Sequence, residues 1–195
     1  EPGQSDNVGR VRRVLAFAGR ELECAEGPPT VLDVGSGLCV FLHGMKAAGW
    51  DCTALDPDAR SARHAREVVG VRAVCGDFMD GHDFGRFDLV TFNKVLEHVP
   101  DPVAMLTAAA DHLKPGGFVY LEVPDGEGAI RDGWGREEFF IDHPHIFSAV
   151  SVALMARQAG FSICETERLR EPSDKYTLRA FLVLARGGTP GENKG

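Results

Sequence analysis

The chain has 195 residues, 44% of them hydrophobic, and a formal net charge of −8; that is enough for one well-buried domain and short for two. The negative balance argues against a nucleic-acid partner, because binding a phosphate backbone needs a basic face that releases counterions, and no basic run supplies one. No apolar stretch reaches the roughly 18 to 20 residues of a membrane span and no basic-then-apolar leader opens the chain; five cysteines without a C-x-x-C pair suit reduced thiols and a cytoplasmic setting, with no membrane partner.

Val8, Val11, Val14, Leu15, Ala18 and Leu22 recur at helical spacing until "EGPP" at 26 to 29 stops the pattern, which predicts a leading helix. Three strand-then-helix units follow: "TVLDVG" into a helix over 38–49, "CTALD" into 58–69, and "VRAVCGD" into a polar loop around 79–86. These strands are short, apolar and mostly non-alternating, as when helices cover both faces of a sheet. "FDLVTFN" and "GGFVYLEVP" are two further strands. Between them a helix is expected over 102–113, with Asp101 as N-cap, Pro102 in the first turn and "KPGG" as the stop. From 125 to 147 neither period holds, and the stretch reads as an inserted lid or binding loop. Ser148 caps a helix through 159, Gly160 ends it, and "FSICETERL" and "TLRAFLVLAR" complete seven strands. The expected organisation is an N-terminal helix (1–28) packed on a core domain (29–186), then a disordered tail (187–195).

Alternating strands and helices imply an α/β fold, a doubly wound, seven-stranded, mostly parallel sheet with its ligand crevice at the carboxyl ends of the strands. Asp33, Asp56, Asp77 and Asn93 all fall at or just past such ends. Asp33 with Gly35 and Gly37 forms a turn through which backbone N–H groups can approach a ligand closely. A third glycine at position 40, needed for the dinucleotide fingerprint, is replaced by Val40, which disfavours a nucleotide-dependent oxidoreductase. Asp56 can accept both hydroxyls of a ribose, and Asp77 the exocyclic amine of an adenine with Phe78 packed on its ring. Each has a plain alternative: a strand-to-helix turn for the glycine pair, a helix cap for Asp56, a turn aspartate for Asp77.

With "VLDVGSGLC", "ALDPD", "CGDF", "FDLVTFNKVLEHVPDP", "LKPGGFVYLEVP" and "HPHIFSAVSVALMARQAGF" in this order, the chain resembles the class I S-adenosylmethionine-dependent methyltransferases, small-molecule branch. The resemblance implies a Rossmann-like sheet with the first loop on the methionine part of the cofactor, Asp56 on the ribose, Asp77 with Phe78 on the adenine, and Asn93 beside the sulfonium, largely through backbone atoms. The family's first loop usually carries a third glycine where this chain has Cys39.

Methyl transfer is an in-line displacement for which proximity and alignment do much of the work. An oxygen or carbon acceptor also needs a positioned base. "IDHPHIFS" offers His143 and His145, either of which could deprotonate or orient the acceptor, with Asp142 to tune a neighbouring imidazole. Their structural alternative is to cap or bond the helix after Ser148. A metal bound by Asp142, His143 and His145 lacks a fourth partner, so none is expected. Glu97 and His98 support their loop on this reading, His98 being a lesser candidate on the acceptor side. Trp134, Phe139 and Phe140 suit an apolar acceptor surface or the cover of a core edge. The expected function is transfer of methyl from S-adenosylmethionine to the oxygen, nitrogen or carbon of a small molecule, yielding S-adenosylhomocysteine. A noncatalytic cofactor-binding protein and a protein methyltransferase are its rivals, and the sequence leaves the oligomeric state open.

Overall fold

The computed structural model describes residues 6–22, 27–140 and 143–185; the tail expected over 187–195, Asp142 and Cys24 lie outside them. In chain order it contains α1 (Asp6–Glu21), β1 (Thr30–Val34), α2 (Val40–Ala47), β2 (Asp51–Asp56), α3 (Ala59–His64), β3 (Arg72–Cys75), β4 (Phe87–Asn93), α4 (Pro102–Ala109), β5 (Leu113–Pro124), α5 (Gly126–Ala129), α6 (Ala149–Gln158), β6 (Phe161–Arg170) and β7 (Tyr176–Leu184). The strands form one sheet in the order β3-β2-β1-β4-β5-β7-β6. β3, β2, β1, β4 and β5 pair in parallel, and β7 runs antiparallel to both β5 and β6. The strand order reverses between β1 and β4, so the crevice of an open α/β sheet lies at their carboxyl ends.

Both faces are covered, as the non-alternating strands predicted. On one, Val14 and Phe17 of α1 and Leu42 and Met45 of α2 pack over Val31, Phe118 and Tyr120. On the other, Met105 and Leu106 of α4 and Val152 and Met155 of α6 pack over Val90, Phe92 and Leu121. Apolar burial of this kind contributes about 25 cal/mol for each Å² removed from water. The leading helix differs in detail from its predicted stripe. Val8 is exposed, whereas Phe17 is buried and stacks on Phe181 with ring centroids 4.1 Å apart. Arg10 of α1 is ion-paired with buried Glu122, which Tyr120 and Arg179 also approach.

Capping residues set the helix boundaries. The Asp101 carboxylate accepts from the Ala104 N–H (2.9 Å), with Pro102 in the first turn. Ser148 and Ser151 form a reciprocal capping box at the start of α6. Asp58, not Asp56, caps α3 by accepting from the Arg60 N–H. α2 begins two residues later than the sequence suggests, because Gly35, Gly37 and Cys39 are all left-handed. α4 is likewise shorter, ending at Ala109 in a 3-10 turn over Ala110–His112. "KPGG" is not a loop between helix and strand; it lies within β5 at a register shift opposite Asp88. A side chain on Gly117 would meet the Phe87, Asp88 and Lys114 carbonyls at 3.0 Å, so glycine lets the two strands approach there.

Candidate active site

The loop leaving β1 crosses the carboxyl end of β2 and is stitched to it. The Gly35 and Ser36 N–H groups donate to the Leu55 carbonyl at 2.8 and 3.2 Å. Gly35 has φ +68°, and a Cβ there would stand 2.7 Å from Cγ2 of Val95; backbone and space both demand glycine. Gly37 has φ +50° with nothing within 4 Å of an added Cβ, so only its conformation favours glycine. Cys39 adopts φ 55° at the head of α2, a left-handed state that costs a non-glycine residue about 1 kcal/mol. Burial pushes its thiol upward in pKa.

Asp56 closes this loop. One carboxylate oxygen accepts from the Gly37 N–H (2.8 Å) and the other from the Asp58 N–H (2.9 Å), leaving each with a further lone pair for a ligand. Asp33 is buried at the end of β1. Its Oδ1 accepts from the Thr91 hydroxyl (2.6 Å) and from Nδ2 of Asn93 (2.9 Å). Burial pushes the Asp33 carboxyl up to about 6 against the opposing pull of those two hydrogen bonds. Asn93 Oδ1 is buried with no hydrogen-bond partner, and neither Asp33 nor Asp56 forms an ion pair among the described residues. The structure therefore gathers Asp33, Gly35, Gly37, Asp56 and Asn93 into one anionic, acceptor-rich strand-end site.

Asp77 and Phe78 part company. Asp77 is exposed, its carboxylate accepting from the Met79 N–H at 2.8 Å. Phe78, expected to pack on an adenine ring, turns inward. The side chain is only 4% exposed, stacks on Phe84 (5.9 Å) and meets the edge of Phe92 (5.8 Å), because the aromatic residues after β3 fill the core edge.

Beyond Asn93 the chain turns at Lys94 into a cavity of about 210 Å³, whose lining includes Lys94, Glu97, His98, Phe140, His143 and Tyr176. The two histidines separate here. His143 reaches the cavity, its ring 4.8 Å from that of His98. Its Nδ1 lies 3.3 Å from the Glu138 carbonyl; a proton donated there leaves Nε2 free as a base. His145 is absent from this lining; its Nε2 is 2.9 Å from the Val99 carbonyl, a structural contact. Burial raises the Glu97 carboxyl in pKa, and its Oε2 has no hydrogen-bond partner. Donor atoms of Glu97, His98 and His143 lie within 4.8 Å of one another, a set able to hold a divalent cation, although the charge of Lys94 in the same wall opposes one.

Sequence reasoning missed Lys94, and missed the anchor of the expected lid. Buried Glu138 accepts from Arg136 and from the Tyr176 N–H (2.7 Å), and Arg136 also pairs with Asp174 at 3.0 Å. These bonds tie the segment after α5 to the β6–β7 turn beside the cavity. Exposed Trp134 lies 5.1 Å from Phe139. A larger cavity, about 620 Å³, lies between α1 and the β6–β7 hairpin. It contains none of the strand-end residues; Arg13 pairs there with Glu167 and Arg20 with Glu165, and Arg179, which also lines it, pairs with Glu171.

A family profile described as a methyltransferase domain matches residues 6–166. Ubiquinone biosynthesis O-methyltransferase of Bordetella avium (strain 197N) is 38% identical over 98 residues, 47% of this chain and 41% of that protein. The enzyme of the same name from Thiobacillus denitrificans (strain ATCC 25259 / T1) is 29% identical over 155 residues, 71% of this chain and 66% of that protein. The chain thus spans about two fifths of the length of the Bordetella relative. Among solved structures, Burkholderia thailandensis 1,6-didemethyltoxoflavin-N1-methyltransferase, with bound 1,6-didemethyltoxoflavin and S-adenosylhomocysteine, superposes with a TM-score of 0.71 at 21% identity. That match covers 92% of this chain and 78% of the other, and at that identity it shows a shared fold.

Proposed function

The chain belongs to the methyltransferase-domain family, and we propose that it transfers a methyl group from S-adenosylmethionine to a hydroxyl oxygen of a small-molecule acceptor. One observation carries this reading. Two carboxylates without ion-pair partners, Asp33 and Asp56, stand with the buried, unpartnered Asn93 oxygen around a glycine loop, and a histidine-lined cavity opens next to them. That donor-poor, acceptor-rich set fits a ligand with an ammonium, a sulfonium and ribose hydroxyls. Asp56 would hold the ribose, the loop from Gly35 to Gly37 and Asp33 the methionine part, and exposed Asp77 the adenine amine. Phe78 supports that edge from beneath.

When bound, S-adenosylmethionine supplies a methyl carbon activated by the sulfonium charge and leaves as S-adenosylhomocysteine. The chain's own residues do the rest. The rigid ends of β1, β2 and β4 fix the alignment. Residues 125–140 and 143–147 flank the acceptor cavity, and Phe140 and Tyr176 help exclude water. His143 takes the hydroxyl proton at Nε2 as the oxygen–methyl bond forms. His145 holds the loop. The relatives' names as O-methyltransferases support oxygen over nitrogen or carbon. The described cysteines are free thiols and no described helix is long and apolar enough to cross a membrane; we place the protein in the cytoplasm, acting on a small molecule rather than nucleic acid.

The test is methyl transfer from methyl-labelled S-adenosylmethionine to panels of phenols, alcohols, amines and carbon acids. Label in an O-methyl product with equimolar S-adenosylhomocysteine is expected. Transfer only to amines or carbon acids would refute the oxygen assignment, and cofactor binding with no transfer in any panel would refute the catalytic one.

A further inference from the structure

Lys94 occupies an unusual position for a lysine. Its backbone has φ 61°, a left-handed conformation costing about 1–2 kcal/mol outside glycine. It falls where β4 leaves the sheet, held by its own N–H donating to the Glu122 carbonyl at 3.0 Å. The side chain is half-buried in the wall of the histidine cavity. Its ammonium donates to the Thr177 hydroxyl at 2.7 Å, which uses one of three donors, and it forms no ion pair among the described residues.

Neither Glu122 nor Glu97 is ion-paired with it among the described residues. Glu122 is committed to Arg10, Tyr120 and Arg179. Burial raises the Glu97 carboxyl and lowers the Lys94 ammonium in pKa, the charges of Glu122 and Glu97 opposing the lowering; a ligand carboxylate bonded to Lys94 would oppose it further. Phe140, Pro124 and Tyr176 give the same cavity apolar walls.

We infer that Lys94 is a substrate-binding residue that seats a carboxylate of the methyl acceptor, so that the acceptor is a flat, carboxylate-bearing small molecule. This rests on the cavity being the acceptor site, as proposed above. Acceptor recognition is then divided between Lys94, which fixes the acid, and His143, which faces the reacting hydroxyl. The division gives orientation as well as affinity, because two anchored ends leave one rotation of the acceptor productive.

The experiment is ligand-observed NMR titration of the full chain, saturated with S-adenosylhomocysteine, using benzoate and its neutral isostere benzamide as probes. Benzoate should bind at least about tenfold tighter, the usual scale of a charge-assisted hydrogen bond in a recessed site. The preference should fall to near unity in Lys94→Met and persist in Lys94→Arg, with circular dichroism confirming that each variant folds. Equal affinities in the wild type, which need no variant to observe, would overturn the inference. So would a preference unchanged in Lys94→Met, or saturation with S-adenosylhomocysteine without binding of either probe. Failure of S-adenosylhomocysteine itself to bind would instead refute the methyltransferase reading, and the inference with it.

Discussion

Replacing Asp33 with asparagine removes a charge that burial disfavours while keeping an oxygen for Thr91 and Asn93 to donate to. The carboxyl has an ordinary value of 3.8 and is pushed up to about 6 in the fold. Through that window the folded state holds more protons than the unfolded one, so stability falls as pH rises from the lower value to the upper and levels off above it. That elevation corresponds to a penalty of about 3 kcal/mol at pH 8 and about half of that at pH 5. The substituted amide carries no such penalty and keeps, at Oδ1, the oxygen to which Thr91 and Asn93 donate. The wild type should therefore lose about 1 to 2 kcal/mol relative to Asp33→Asn between pH 5 and pH 8. Urea denaturation followed by the fluorescence of Trp50 and Trp134 reads this directly. The same variant should bind S-adenosylmethionine more weakly, since the charge that destabilises the free protein is what a cationic ligand would compensate. Parallel pH dependence of the two proteins would refute the reasoning.

Three further outcomes follow from the same geometry. His143→Ala should lower methyl transfer by about 10² to 10⁴, the usual range for a lost general base, with S-adenosylhomocysteine affinity unchanged by calorimetry. His145→Ala should instead cost about 1 kcal/mol of stability through its bond to the Val99 carbonyl, with turnover altered only severalfold in the same assay. Gly35→Ala should destabilise the fold by more than Gly37→Ala in thermal melts: both pay about 1 kcal/mol for a left-handed alanine, but only the first drives a methyl against stiff Val95.

The parts of this fold that sequence could reveal are those decided locally. Asp101 with Pro102 and Ser148 announce helix starts because caps depend on a few adjacent residues, and the covered sheet shows in strands that mostly do not alternate. Asp33, Asp56 and Asn93 were legible as one site because parallel topology carries strand ends to a common edge. Features that depend on long-range packing were not. His143 and His145 are two residues apart in an aperiodic loop, and only the positions of Glu138 and Val99 give them different contacts. Phe78 follows a strand without continuing its period, so nothing local told that its ring turns inward onto Phe84 and Phe92. Nothing in "FNKVLEH" sets Lys94 apart from a solvent-facing lysine; its left-handed backbone is the sign, and sequence does not display φ. The Arg10–Glu122–Arg179 network joins three distant segments and left no local signature.

The central claim is that the strand-end site binds S-adenosylmethionine, and calorimetric titration of S-adenosylmethionine, S-adenosylhomocysteine and NAD into the wild type and Asp56→Ala tests it most directly. Saturable binding of the first two, lost in the variant and without binding of NAD, is the predicted result. Binding of NAD alone, or S-adenosylmethionine binding that survives loss of the Asp56 carboxylate unchanged, would contradict the account.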